Sequence, residues 1–321
     1  MNRLKDIRFI LIFIGLVFLF IFPVLSSDFY LINILSIAFI YAVYAGSWDI
    51  LSGFTGKENM GHAAFIAIGA YLLGFVSAVY SIQPWLSIPM AAVASALFGI
   101  AIGVPTLRLK GPYFALASLA VASIFENLTI SYSEFTGGEE GIFGIPFLTP
   151  GPTSDYYFML IFSFISILIL FIAGKSNFGL ILKSIKSDED AAKAVGIKTT
   201  KYKVTAFALS AMFAGMAGAV MGHFYGYVGP DIVYPLSLNT LIMAVVGGIG
   251  GIIPAALGGF FISLLTELLR GLGQWNNLIY TVILMLSILF LPKGAFKTLG
   301  EFLKPKNKKN KTPKLRGEEN E

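Results

Sequence analysis

The chain has 321 residues, 56% of them hydrophobic and only 13% charged, where a soluble domain carries about 25% charged residues; most of it has no water to face. Its net charge of +5 is not a nucleic-acid signal, because the basic residues sit in short clusters between long apolar runs, as membrane loops do. There is no cysteine, which excludes disulfides, thiolate metal sites and a cysteine nucleophile, and the two histidines, His62 and His223, lie too far apart in sequence to suggest a metal site.

A spanning helix needs about 20 mostly apolar residues. Read in chain order, spans are predicted at 9–25, 29–52, 59–80, 85–107, 112–133, 157–174 and 204–228, then a glycine-broken region at 237–269 and a last span at 276–291. The first run resembles a signal peptide, with basic residues ahead of it and Val24-Leu25-Ser26 after it, but its length favours an anchored helix. With the N-terminus inside, every Lys and Arg except Arg270 falls on the cytoplasmic side, and Asp28, Glu134, Glu139, Glu140, Asp155 and Asp231 fall outside. Parity then requires 237–269 to go in and come back. Gly247, Gly248, Gly250 and Gly251 mark the break, as two tight helices or a re-entrant hairpin. The expected fold is all-α: a polytopic transmembrane helical bundle of about 8–10 membrane segments over residues 1–303. A Lys-, Asn- and Glu-rich tail at 304–321 is expected to be disordered and cytoplasmic, as is typical of such composition.

The cytoplasmic loop 175–203 carries its own helix signals. Ser187 is a candidate cap, with Asp190 three residues on completing a capping box. Acids in the first turn suit the helix dipole, Ala191, Ala192 and Ala194 continue the helix, and Gly196 is a natural stop. On local physics alone this is equally an ordinary interfacial amphipathic helix. The stretch Asp190-Ala191-Ala192-Lys193-Ala194-Val195-Gly196 resembles the EAA loop of ATP-binding-cassette importer permeases, with Asp for the usual Glu. The resemblance implies a coupling helix that docks on an ATPase subunit; Ala192 is expected to face that partner, because a small side chain permits close packing.

A second segment runs from Leu51-Ser52-Gly53-Phe54-Thr55-Gly56-Lys57 through Asn59-Met60-Gly61-His62-Ala63-Ala64-Phe65. Small and polar residues at a membrane boundary can line a substrate path, or form a plain close-packed turn. Thr55, Gly56, Asn59, Gly61, His62 and the intramembrane acid Glu126 are the candidate path residues. His62 taken alone reads as structural, and Glu126 reads equally as a buried structural acid. The segment resembles branched-chain amino acid permeases. So do Leu107-Arg108-Leu109-Lys110-Gly111-Pro112-Tyr113-Phe114-Ala115, which is similar to the signature of the M-type subunit, Thr136-Gly137-Gly138-Glu139-Glu140-Gly141, Ser176-Asn177-Phe178-Gly179, Val246-Gly247-Gly248-Ile249-Gly250 and Leu291-Pro292-Lys293-Gly294. Their order covers roughly residues 30–295. Asp49 departs from a common Asn, and Lys57, Glu58 and Asn59 from Gln, an apolar residue and Ser.

The resemblance implies a cell-membrane importer permease with both termini cytoplasmic. Its partners would be a homologous second permease, two cytoplasmic ATPases and an external solute-binding protein. Branched-chain amino acids lead as solute, with urea and short amides as relatives. No nucleotide-binding loop is present: Gly53-Phe54-Thr55-Gly56-Lys57 lacks the required spacing, so ATP would belong to the partners, with no cofactor or metal in this chain. A stand-alone secondary transporter would have equally basic loops. An intramembrane enzyme ranks last, because no motif pairs the histidines with the acids. Glu267 and Arg270 have helical spacing for an ion pair.

Overall fold

A computed structural model describes residues 14–302 apart from 16, 27, 81, 110, 231–232, 270–274 and 291–293. The expected tail, Arg270 and Leu291-Pro292-Lys293 lie outside the described residues. Helical residues at 17–25 precede α1 (Phe29–Trp48), which is capped by the Asp28 side chain and runs on into a π-helical turn, Asp49–Gly53. There follow α2 (Ala63–Tyr80), α3 (Pro84–Thr106), α4 (Pro112–Ser131), the short α5 (Ser133–Thr136), and β1 (Ile142–Phe143). Then come α6 (Pro152–Lys175), α7 (Asn177–Ser187), α8 (Glu189–Ala194), α9 (Thr199–Tyr225) and β2 (Tyr227–Val228). The chain closes with α10 (Val233–Gly247), α11 (Ile252–Leu269), α12 (Trp275–Phe290) and α13 (Ala295–Phe302). Seven of the described helices are long and apolar enough to cross a membrane, so the protein is an all-α polytopic bundle.

Proline opens α3, α4 and α6 at the first turn, where its missing N–H costs nothing. The centre is α9, packed on α3, α2 and α1. Its buried face is built of Ala206, Ser210, Ala211, Ala214, Ala217, Gly218 and Ala219. Between lipid-immersed helices the hydrophobic effect supplies little drive, and small residues gain stability by letting backbones approach. On α6, Ile161, Phe164, Ile165, Leu168 and Ile172 are exposed on a surface suited to acyl chains.

The two ends of the bundle differ in charge. At one end β1 pairs antiparallel with β2, and His223 Nδ1 lies 2.6 Å from the Pro146 carbonyl; the acids Glu134, Glu139, Glu140 and Asp155 belong to the loop that runs from α5 to the start of α6 here. At the other end Lys57, Arg108, Lys193 and Lys203 surround one recess, and Lys175, Lys183 and Lys297 another. The glycine-broken region is a pair of helices. α10 begins just after β2 at the acidic end and finishes at the basic end, where Gly248 and Gly250 (φ +125° and +81°) turn the chain into α11.

Candidate functional site

The closed junction at the basic end starts with the π-helical turn. Such turns widen the helix and often sit at functional places. This one buries Asp49 fully and aims its Oδ1 at the backbone N–H of Gly250, 2.7 Å away. Gly53, one turn on, has no Cβ because the Asp49 carboxyl fills that space. Three cations close around the junction. Lys186 Nζ donates to the Gly53 carbonyl at 2.8 Å, Lys297 Nζ donates to the Ile249 carbonyl at 2.6 Å, and Lys183 lies 4.4 Å over the Phe54 ring. Residues from α1, the glycine turn, α7 and α13 are thus tied into one knot. In the sequence Asp49 is a departure from Asn and an acid near the end of its span; its partner lies 201 residues further along the chain, and no local pattern signals it.

Above the knot, α1, α10 and α11 are packed without space. Ala45, Met243, Val246 and Ile262 form one buried cluster, and Trp48, Ala244 and Ala255 another. Gly46 faces Ile252 and Ala256, and Gly259 faces the Tyr41 backbone. Toward the acidic end the same three helices part around a cavity of about 650 Å³. Positions 30, 33, 34, 37 and 41 of α1 line it, one helical face reaching from the mouth to the floor.

The loop 175–203 has the expected helix with a different cap. Asp188, not Ser187, caps α8: its Oδ1 accepts from the N–H groups of Asp190 and Ala191, both at 2.9 Å. Ser187 instead ends α7 and donates to the Lys183 carbonyl at 3.1 Å. Both residue types cap well, so sequence placed the boundary one residue early. Asp190 sits in the first turn, 3.3 Å from Lys193. The stop is a full Schellman motif. Gly196 takes φ +85° and donates to Lys193 O, and Ile197 N donates to Ala192 O.

The orientation of α8 also corrects an expectation. Ala192 is only 5% exposed and turned onto this chain's own surface, whereas Ala191, Ala194 and Val195 (78% exposed) face outward. Glu189 pins the helix to α9 through Lys203 Nζ at 2.7 Å. Burial opposes its ionisation, but the Lys203 hydrogen bond and charge, helped by Lys193, outweigh it and hold the carboxyl at about 2.

The residues predicted to line a path lie in a different place from the cavity. Thr55 donates to Leu51 O, and Trp48 Nε1 donates to Asn59 O at 2.7 Å. Gly61 packs on the Ser118 backbone. His62 is buried with Nε2 3.0 Å from Ser47 Oγ and its ring stacked on Tyr44. Gly56 is exposed beside the Lys186 stem, and Glu126 is half-buried on α4. Together 51–62 forms a tied turn between α1 and α2, and none of the six lines the cavity. Of the predicted glycines, Gly248 and Gly250 take positive φ, Gly247 packs on the Pro254 backbone, and Gly251 O accepts the Ala255 amide in the first turn of α11. Glu267 accepts from Tyr30 Oη at 3.1 Å. Among the described residues there is no group of three or more His, Asp and Glu suited to a metal.

The chain is a multi-pass helical bundle with a half-open cavity between three helices and a capped helix at its basic end, an architecture suited to a membrane transport protein. The profile of the family described as branched-chain amino acid transport system / permease component matches residues 30–291, and the chain belongs to that family. It is 27% identical to the high-affinity branched-chain amino acid transport system permease protein LivM of Escherichia coli (strain K12), across 86% of this chain and 72% of that protein. LivM of Salmonella typhimurium gives the same figures. LivH of Escherichia coli (strain K12) is 25% identical, across 79% of this chain and 90% of its own. The M-type resemblance read from the motifs agrees with these relatives.

Proposed function

We propose that this chain is one permease subunit of an ATP-driven importer of branched-chain amino acids. It works in the cell membrane with a homologous second permease, two cytoplasmic ATPases that bind the ATP, and an external solute-binding protein. Its basic end and both termini face the cytoplasm, since basic loops are retained on that side. The chain itself performs no covalent chemistry and holds no cofactor. Its motion is carried by a mechanical route: α8 presents Ala191, Ala194 and Val195 to the ATPase, α7 ties to α1 through Lys186 and the Gly53 carbonyl, and α1 holds the glycine turn through Asp49. ATPase closure displaces α8, and the displacement reaches the inner seal.

The observation that best supports this reading is the outward face of α8. A six-residue helix is unstable alone. Here it is fixed by a cap, a Schellman stop and the Glu189–Lys203 pair, while Val195 remains bare. Ala194→Glu together with Val195→Asp should leave the folded chain intact and remove the bound ATPase on co-purification, with loss of ATP-dependent leucine uptake in vesicles. Normal ATPase retention and uptake in that double variant would refute the docking face. Uptake by the purified chain alone, driven by an ion gradient, would replace the importer by a secondary transporter.

A further inference from the structure

The cavity between α1, α10 and α11 contains polar groups that the fold does not use. Ser263 is 7% exposed and lines the cavity. It makes no hydrogen bond among the described residues, whereas Ser36 and Ser118 donate to a carbonyl of their own helix; Ser77 is likewise buried and unbonded, but only Ser263 of the two opens onto the cavity. Asn33 on α1 and Asn239 on α10 line the same space and also lack a hydrogen-bonding partner among the described residues. An uncommitted amide or hydroxyl inside a membrane bundle is costly unless water or a ligand meets it. Three of them from three helices, converging on one cavity, mark a surface made for a polar molecule.

The rest of the lining gives that molecule's character. Two carboxylates, Glu267 and Asp155, belong to the wall, each held by a hydroxyl: Tyr30 Oη on Glu267, and Thr149 Oγ1 on Asp155 at 2.7 Å. No lysine or arginine lines the cavity among the described residues. The deeper wall carries the apolar Ile37 and Met243 beside Tyr41. A volume of about 650 Å³ falls within the range of about 300–1,000 Å³ usual for small-molecule sites.

We propose that this cavity is a solute-binding chamber for a small molecule bearing a primary ammonium group and an apolar side chain. The ammonium sits toward Glu267 and Asp155, the remaining polar atoms meet Asn33, Asn239 and Ser263, and the side chain lies toward Ile37 and Met243. This deepens the importer reading and rests on it for the identity of the solute, but the chamber's charge preference is a property of the cavity itself. Glu267 and Ser263 stand at i+4 and i on α11, so one helical face carries both.

The test exploits the absence of cysteine. Ser263→Cys is placed in the full chain, assembled with its permease and ATPase partners, and treated from the outside with small membrane-impermeant thiosulfonates of opposite charge. The cationic ethylammonium reagent should react about tenfold faster than the anionic sulfonate reagent, as expected for a carboxylate-lined cleft. Adding Glu267→Gln should cut that preference severalfold, and saturating leucine should slow the reaction. In the cysteine-free chain, Glu267→Gln should lower the maximal rate of leucine uptake severalfold, while Leu268→Ala, exposed on the same helix and outside the cavity lining, should retain it. A Ser263→Cys chain that reacts with neither reagent, or with both equally whether or not Glu267 is present, would overturn the chamber. If wild-type vesicles take up no leucine but the charge preference holds, the importer assignment fails and the ammonium chamber stands.

Discussion

Three helices, α1, α10 and α11, meet twice, and the two meetings are opposites. At the acidic end they stand apart around a cavity lined by Asn33, Asn239 and Ser263, which make no hydrogen bond among the described residues. At the basic end they are joined by small residues, buried apolar clusters and the Asp49–Gly250 hydrogen bond. The difference lies in side-chain size and in where polar atoms are spent. Gly46, Gly259 and Ala45 bring backbones together below Tyr41, whereas Asn33, Asn239 and Ser263 keep them apart above it. The chain is therefore open at its acidic end and sealed at its basic end, and the loop 175–203 is tied only to the sealed end.

The largest effect should come from forcing the sealed half apart. Gly258 has the Met243 carbonyl and the Gly247 backbone where a Cβ would go. Gly258→Leu should prevent folding, seen as loss of full-length protein from detergent extracts, while Ile253→Leu, at an exposed position on the same helix, should be extracted normally. Next in size is the knot. Asp49→Ala leaves the part-buried Gly250 amide without its acceptor, a cost of about 1–3 kcal/mol at most; it should lower the thermal midpoint in detergent and abolish most of the uptake. Asp49→Asn keeps an oxygen for that amide and should retain both.

Smaller again is the link to α7. Lys186→Met removes the donor to Gly53 O but keeps the stem over Gly56. ATPase should still co-purify, and the ATP hydrolysed per leucine transported should rise. Gly196→Val opposes the αL stop, because a β-branched residue resists positive φ, and ATPase retention should weaken. The smallest effect concerns pH. The Glu189 carboxyl lies below its ordinary value, so its tie to Lys203 is complete above the unfolded carboxylate range and is lost as pH falls toward about 2. ATPase retention should be flat from neutral pH down to about pH 5 and weaken below it, and Glu189→Gln should weaken it throughout. A drop between about pH 8 and 6, where no carboxylate of this kind titrates, would point to another group.

The spans were legible because apolar length is a one-dimensional property, and the Gly196 stop because its signal is local. The glycine break was visible as a break, but the choice of paired helices over a hairpin depended on which end of the bundle Val233 starts from, and that is set by the β1–β2 pairing. The direction Ala192 faces was not legible, since the six residues Glu189–Ala194 span less than two turns and their alanines offer no periodicity; packing on α9 decides it. The conspicuous segment 51–62 drew attention to a packed turn. The chamber was missed, although Asn33, Asn239 and Ser263 carried the available signal: polar residues inside apolar runs, on helices that only the tertiary fold brings together.

If the coupling route is right, the inner seal is closed at rest and opened by the ATPase. Ala244 lies fully buried in that seal, against Trp48 and Ala255. An Ala244→Cys chain, assembled with its partners in vesicles of known orientation, should resist an impermeant maleimide from either side at rest. It should become reactive from the cytoplasmic side when ATP and leucine drive turnover. Equal cytoplasmic reactivity with and without ATP, at any level, would contradict an ATP-opened seal.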